Sequence, residues 1–135
     1  MSAEQFLKTW HTAVLAKDAE LLDTIIADGC TLLSPVVWKP TSDKAYLIHI
    51  LQGVVQTIDG FEYRHETIDG NLLYLEFTGT VDGKGLLGLD RITLNDEGKM
   101  VEIEVLIRPL NTLVEFATRM REHALKFQKP EGVSV

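Results

Sequence analysis

Apolar residues in the first half of the chain recur at three- and four-residue intervals, the spacing of helices with one buried face. Phe6, Trp10, Ala13 and Val14 follow one such stripe, and Ser2 and Gln5 stand at capping-box spacing, which predicts a helix from about Ala3 to Ala16. Asp18 can cap a short second helix whose apolar face is Leu21, Leu22, Ile25 and Ile26. It is expected to stop near Asp28-Gly29, because glycine readily takes the left-handed closing conformation. Cys30 to Ser34 reads as a short strand ended by Pro35. Ser42 or Asp43 can then cap a third helix reaching about Thr57, with Tyr46, Leu47, Ile50, Leu51, Val54 and Val55 on its stripe.

The second half changes period. Asp59-Gly60, Asp69-Gly70, Asp82-Gly83 and Asp96-Glu97-Gly98 are turn signals, and between them Phe61 to Ile68, Leu72 to Val81, Leu86 to Leu94 and Met100 to Ile107 are each long enough for a strand. Turns this short join antiparallel neighbours. Thr112 and Glu115 form a second capping-box match, predicting a last helix from Leu113 to about Lys126. Helices first and strands afterwards argue for an α+β domain over residues 1–128, its helices packed on one face of a curved antiparallel sheet. Residues 129–135, with Pro130 and Gly132, read as a frayed tail. In the last strand Val101, Ile103, Val105 and Ile107 alternate with Glu102, Glu104, Leu106 and Arg108. The apolar side faces the helices. The other side, with Tyr74, Glu76 and Thr78 on a neighbouring strand, is mixed: either a homodimer contact or a half-exposed sheet.

Composition narrows the partners. The chain has 135 residues, 45% of them hydrophobic, which suffices for a core without disulfides or structural metal. Its 13 basic and 20 acidic residues give a net charge of −7, so nucleic acid is not an expected partner. No apolar run is long enough to span a bilayer, the start lacks the pattern of a signal peptide, and the single cysteine, Cys30, reads as a buried free thiol. A cytoplasmic protein without membrane contact is the expectation.

No Walker loop, G-x-G-x-x-G, H-E-x-x-H, paired C-x-x-C or G-x-S-x-G occurs. His11, His49, His65 and His123 have no ligand spacing, so no metal site or cofactor is implied. Asp90 is the sharpest residue. In LLGLDRITL it alternates onto the side of Leu86, Ile92 and Leu94, where a carboxyl group must find a partner or keep its proton. It is either an acid, base or hydrogen-bond donor toward a ligand or a packing residue paired with a helix or a backbone amide. Trp10 reads as core or pocket wall, and Trp38 as pocket rim. Ser34 lacks a nucleophile context and reads as a turn-capping hydroxyl. His11 and His49 fall off their apolar stripes and read as solvated. Tyr63 and His65 share a strand face by alternation, but their strand alternates too poorly to orient them. Arg108 is expected to bridge to a second subunit or to the last helix.

The order of elements, with SPVVWKP after the first strand and GLDRITLNDEGKMVEIEVLIRPL in the meander, resembles the SnoaL-like branch of the nuclear transport factor two-like superfamily from Phe6 to about Met120. The resemblance implies a cone-shaped α+β barrel with an internal pocket at its open end, and commonly a homodimer through the outer sheet face. It implies no single activity, since relatives include ketosteroid isomerases, polyketide cyclases, epoxide hydrolases, dehydratases and proteins that only bind. Against the ketosteroid isomerase pattern, Trp10 falls at the tyrosine that donates to the oxyanion, Ser34 at the aspartate that moves the proton, and Asp90 at the second, protonated acid. Only Asp90 is kept, and serine is no base of suitable strength, so that mechanism is disfavoured. The Asp-Arg-Asp relay of epoxide hydrolases is not evident, because Asp90 and Arg91 are adjacent and must point to opposite faces.

The resulting expectation is a homodimeric domain that binds a small hydrophobic molecule in an apolar pocket. The pocket would be walled by Trp10, Val14, Ser34, Trp38, Leu75, Phe77, Ile103, Val105 and Ile107, with Asp90 as polar anchor. The alternative is an isomerase, cyclase or dehydratase using Asp90 as general acid or base. A third is a protein-interaction module working through its outer sheet.

Overall fold

The first helix is closed at its start as its sequence dictates. In the computed structural model, which describes residues 1–127, α1 (Ala3–Ala16) begins with a full capping box. The Gln5 N–H donates to Ser2 Oγ (3.1 Å) while the Ser2 N–H donates to Gln5 Oε1 (2.8 Å). Helix α2 (Ala19–Ile25) is capped by Asp18 and α3 (Lys44–Thr57) by Asp43, each carboxylate accepting from a backbone N–H three residues on (3.1 Å).

The strands are β1 (Ile26–Leu33), β2 (Asp59–Asp69), β3 (Leu72–Val81), β4 (Lys84–Leu94) and β5 (Met100–Arg108), followed by α4 (Leu110–Leu125). They form one sheet in the order β1-β5-β4-β3-β2. The four later strands make the expected antiparallel meander, whereas β1 pairs with β5 in parallel, so the sheet is mixed. It is also open: β1 and β2 remain edges and no barrel closes.

Two helix boundaries differ from expectation for physical reasons. Helix α2 stops at Ile25, before Asp28-Gly29, because Ile26 already pairs with Met100. Gly29, at φ +73°, sits instead in the bulge that separates the Ile26 and Thr31 registers of β1. Helix α4 starts at Leu110, three residues early. The Thr112 hydroxyl does not cap it but donates to the Gly85 carbonyl (2.9 Å), tying the helix to the sheet. The expected tail, residues 129–135, lies outside the described residues.

The inner face of the sheet is laid in rows. Leu73, Ile92, Ile103 and Leu32 stand in register across four strands, and Phe77, Gly88 and Ile107 form a second row. The Phe77 ring occupies the space that a side chain at position 88 would need, so glycine there is a packing requirement. Between these rows runs a third, Leu75, Asp90 and Val105. Helices α1 to α4 cover this face, and Phe6, Trp10, Leu22, Leu47, Leu75, Phe77 and Ile103 are buried. Cys30 is buried as a free thiol, and burial pushes its pKa up to about 12, so it is inert. On the outer face Arg91 pairs with Glu104, Arg64 with Glu76, and Leu106 is exposed. Among the described residues no helix is long and apolar enough to cross a membrane.

Candidate functional site

A carboxyl group in an apolar row must be explained by its neighbours. Asp90, 6% exposed, projects into the core beside Leu75 and Val105, and Arg91 projects outward, as alternation required. Its partner comes from β2. The Tyr63 hydroxyl donates to Asp90 Oδ2 (3.1 Å) and accepts from the indole Nε1–H of Trp10 (3.0 Å). A directed chain thus runs from α1 through β2 to β4. Phe61 and Phe77 pack on the Tyr63 ring, and His11, paired with Glu66 at 2.6 Å, meets its other edge.

Burial raises the Asp90 pKa to about 7, and the Tyr63 hydrogen bond offsets only part of that rise. Tyr63 is pushed well above the usual phenol value, first by burial and then by the Asp90 charge, so it keeps its proton. Asp90 therefore changes charge near neutrality in a buried site between Leu75, Val105 and Tyr63.

Tyr63 was the residue that alternation could not orient. A bulge between Tyr63 and His65 shifts the register, pairing Tyr63 with Phe77 and His65 with Glu76. The two therefore do not share a face: Tyr63 turns inward and His65 is exposed near Glu76.

An apolar open space lies elsewhere. A cavity of about 610 Å³ is walled by Leu32 and the loop that follows β1, by the inner faces of α3 and α4, and by Val105 of β5. Ile50, Leu51 and Val54 come from α3, and Phe116, Ala117, Met120 and Ala124 form the matching stripe of α4. Of the expected wall residues, Ser34 and Val105 line this cavity. Trp10, Leu75, Phe77 and Ile103 do not, being packed solid against their neighbours, with Trp10 stacked on Phe6 and Phe77 on Phe61. Val14 is likewise core, and Ile107 packs at its edge. Trp38 lies 98% exposed on the loop between Pro35 and Pro40, so it forms no rim. The Ser34 hydroxyl accepts from the Val36 N–H (3.0 Å), the expected turn cap.

Asp90 and the cavity are separated by one strand. Val105 is registered with Asp90 on one side, and on the other it follows Glu104, the partner of Leu33, so Ser34 leaves β1 beside it. Val105 thus stands between the strand of Asp90 and the cavity. The contribution of α4 was not expected: its stripe is visible in the sequence, but its seat against α3 depends on a contact between distant segments.

That contact is a reciprocal histidine clasp. His49 Nε2 lies 2.7 Å from the His123 carbonyl and His123 Nε2 lies 2.7 Å from the His49 carbonyl, with the rings stacked at 3.9 Å. Carbonyls only accept, so both Nε2 atoms carry the proton. His49 is therefore not a solvated side chain but joins the two helices that wall the cavity. Arg108 is exposed, and among the described residues it makes no salt bridge to α4.

No protein-family model matches the chain, and no protein of curated function matches it significantly. Solved structures do match. A steroid delta-isomerase from Pseudomonas aeruginosa is similar with a TM-score of 0.85 and 27% identity, over 91% of this chain and 91% of that one. An uncharacterised bacterial protein with a cystatin-like fold from Silicibacter pomeroyi matches with a TM-score of 0.84 and 25% identity, over 90% and 86%. A nuclear transport factor two-like protein of unknown function from Burkholderia xenovorans matches with a TM-score of 0.66 and 19% identity, over 78% and 81%. With its helices on one face of a meander sheet and β1 added in parallel beside β5, the chain has the nuclear transport factor two-like fold that its resemblance to the SnoaL-like branch implied.

Proposed function

We propose that this protein binds a small, predominantly apolar molecule in the cavity between α3, α4 and β5. The observation that carries the reading is the cavity itself: about 610 Å³, within the usual range for ligand sites, and lined mostly by aliphatic and aromatic side chains. The cavity is partly open to solvent, so its apolar walls meet water unless a bound apolar molecule covers them.

Titration with N-phenyl-1-naphthylamine, a neutral dye that brightens in apolar surroundings, tests the proposal. Ala117 faces the void from α4, so Ala117→Trp fills it. Saturable binding by the natural chain and at least a tenfold loss in the variant are expected. Equal affinity of the two proteins would exclude the cavity as the site.

One observation favours a second reading, in which the bound molecule is isomerised, cyclised or dehydrated. Asp90 holds or releases a proton near neutral pH, as a general acid or base must. The carboxyl, however, is engaged by Tyr63 and screened from the void by Val105. Binding requires no rearrangement of that screen and catalysis does, so binding is the preferred reading. For an enzyme of this kind, Asp90→Asn removes turnover of a β,γ-unsaturated ketosteroid probe while leaving dye affinity within a few-fold; turnover unchanged by the substitution would end the second reading.

A further inference from the structure

The cavity wall carries charge of one sign. Its ionic lining residues are Lys39, from the loop after β1, and Arg121, from α4, and among the described residues no Asp or Glu lines it. That contrasts with a chain of net charge −7. Both cations are exposed, and among the described residues neither makes a salt bridge, so both head groups are free to meet a ligand. Two basic side chains from segments far apart in sequence thus border one apolar space.

Leu32, Val105 and Phe116 are buried apolar residues, whereas Lys39 and Arg121 are exposed. The wall therefore grades from an apolar interior to a cationic rim.

We infer that the ligand is an amphipathic anion, an aromatic or aliphatic body carrying one carboxylate or sulfonate. This rests on the cavity being the binding site and narrows what fills it. The body lies against Val105 and Phe116, and the head meets Lys39 and the planar guanidinium of Arg121, whose paired N–H groups match a carboxylate edge. A neutral molecule with the same body gains the apolar burial alone. Because the chain as a whole repels anions, the preference comes from contact at the rim and weakens as salt screens it.

Two dyes sharing one ring system separate the possibilities. The full chain is titrated at pH 7 with 8-anilino-1-naphthalenesulfonate and with N-phenyl-1-naphthylamine, which lacks the sulfonate. Both are expected to bind, the sulfonate about tenfold more tightly, and the double variant Lys39→Gln/Arg121→Gln is expected to erase the difference while leaving the neutral dye unaffected. Both positions are exposed, so folding is preserved in the variant. Equal affinities, or an anion preference that survives the double substitution, overturn the anion inference and leave the cavity standing. Failure of both dyes to bind overturns the cavity reading and the inference with it.

Discussion

Replacing Asp90 with asparagine is expected to flatten the pH dependence of folding stability. The free carboxyl titrates at 3.8 and the folded one at about 7, so between these values the folded chain holds a proton that the unfolded chain has lost. Stability contributed by this group is complete below about pH 4, falls as pH rises through the window, and is gone above about pH 7. About three pKa units correspond to about 4 kcal/mol across the window. Asparagine preserves the shape and still accepts from the Tyr63 hydroxyl, but it cannot ionise. The stability difference between the variant and the natural chain, measured by urea unfolding at pH 4 and at pH 8, should therefore shift by several kcal/mol in favour of the variant. Other titrating groups cancel in that difference. Tyr63→Phe should move the midpoint upward, because it removes the donor that favours the ionised form. A difference that stays constant with pH would mean that Asp90 is solvated or fully paired.

Truncating Trp10 should be the most damaging single change in the core. The indole is fully buried, stacks on Phe6 at 5.7 Å and donates to Tyr63, so it anchors α1 to the sheet and orients the hydroxyl that serves Asp90. Trp10→Ala is expected to cost about 3–5 kcal/mol, from lost transfer free energy and from the void left behind. Trp10→Phe retains much of the packing and removes the N–H donor, for a loss of about 1–2 kcal/mol. Denaturant unfolding of both variants separates packing from hydrogen bonding. A Trp10→Phe loss near zero would show that the Trp10 to Tyr63 bond contributes little.

The sequence made legible whatever depends on local period and capping. Ser2 with Gln5 and the Phe6 to Val14 stripe place α1 to the residue, and alternation around Asp90 correctly buries its carboxyl. Non-local arrangements were hidden. The parallel pairing of β1 with β5 joins segments some seventy residues apart, and no local signal announces it. The bulge at Tyr63 reverses a strand face, so Asp90's partner was visible as a residue but not as a partner. The same limit displaced the pocket. Apolar alternation marks Leu75, Phe77 and Ile103 as inward, yet inward residues pack solid wherever facing volumes match, and only the seat of α4 against α3 decides where they do not. Trp38 shows the converse, since an aromatic residue beside a pocket-lining loop says nothing about which way the loop turns.

The binding cavity is tested most directly by methyl-resolved NMR of the chain during titration with N-phenyl-1-naphthylamine. Occupancy of the space between α3, α4 and β5 should shift the methyl signals of Ile50, Val54, Val105 and Met120, while those of Leu73 and Ile92, in the packed row of the sheet, stay in place. Shifts centred on Leu73 and Ile92, or no shift at saturating dye, would contradict it.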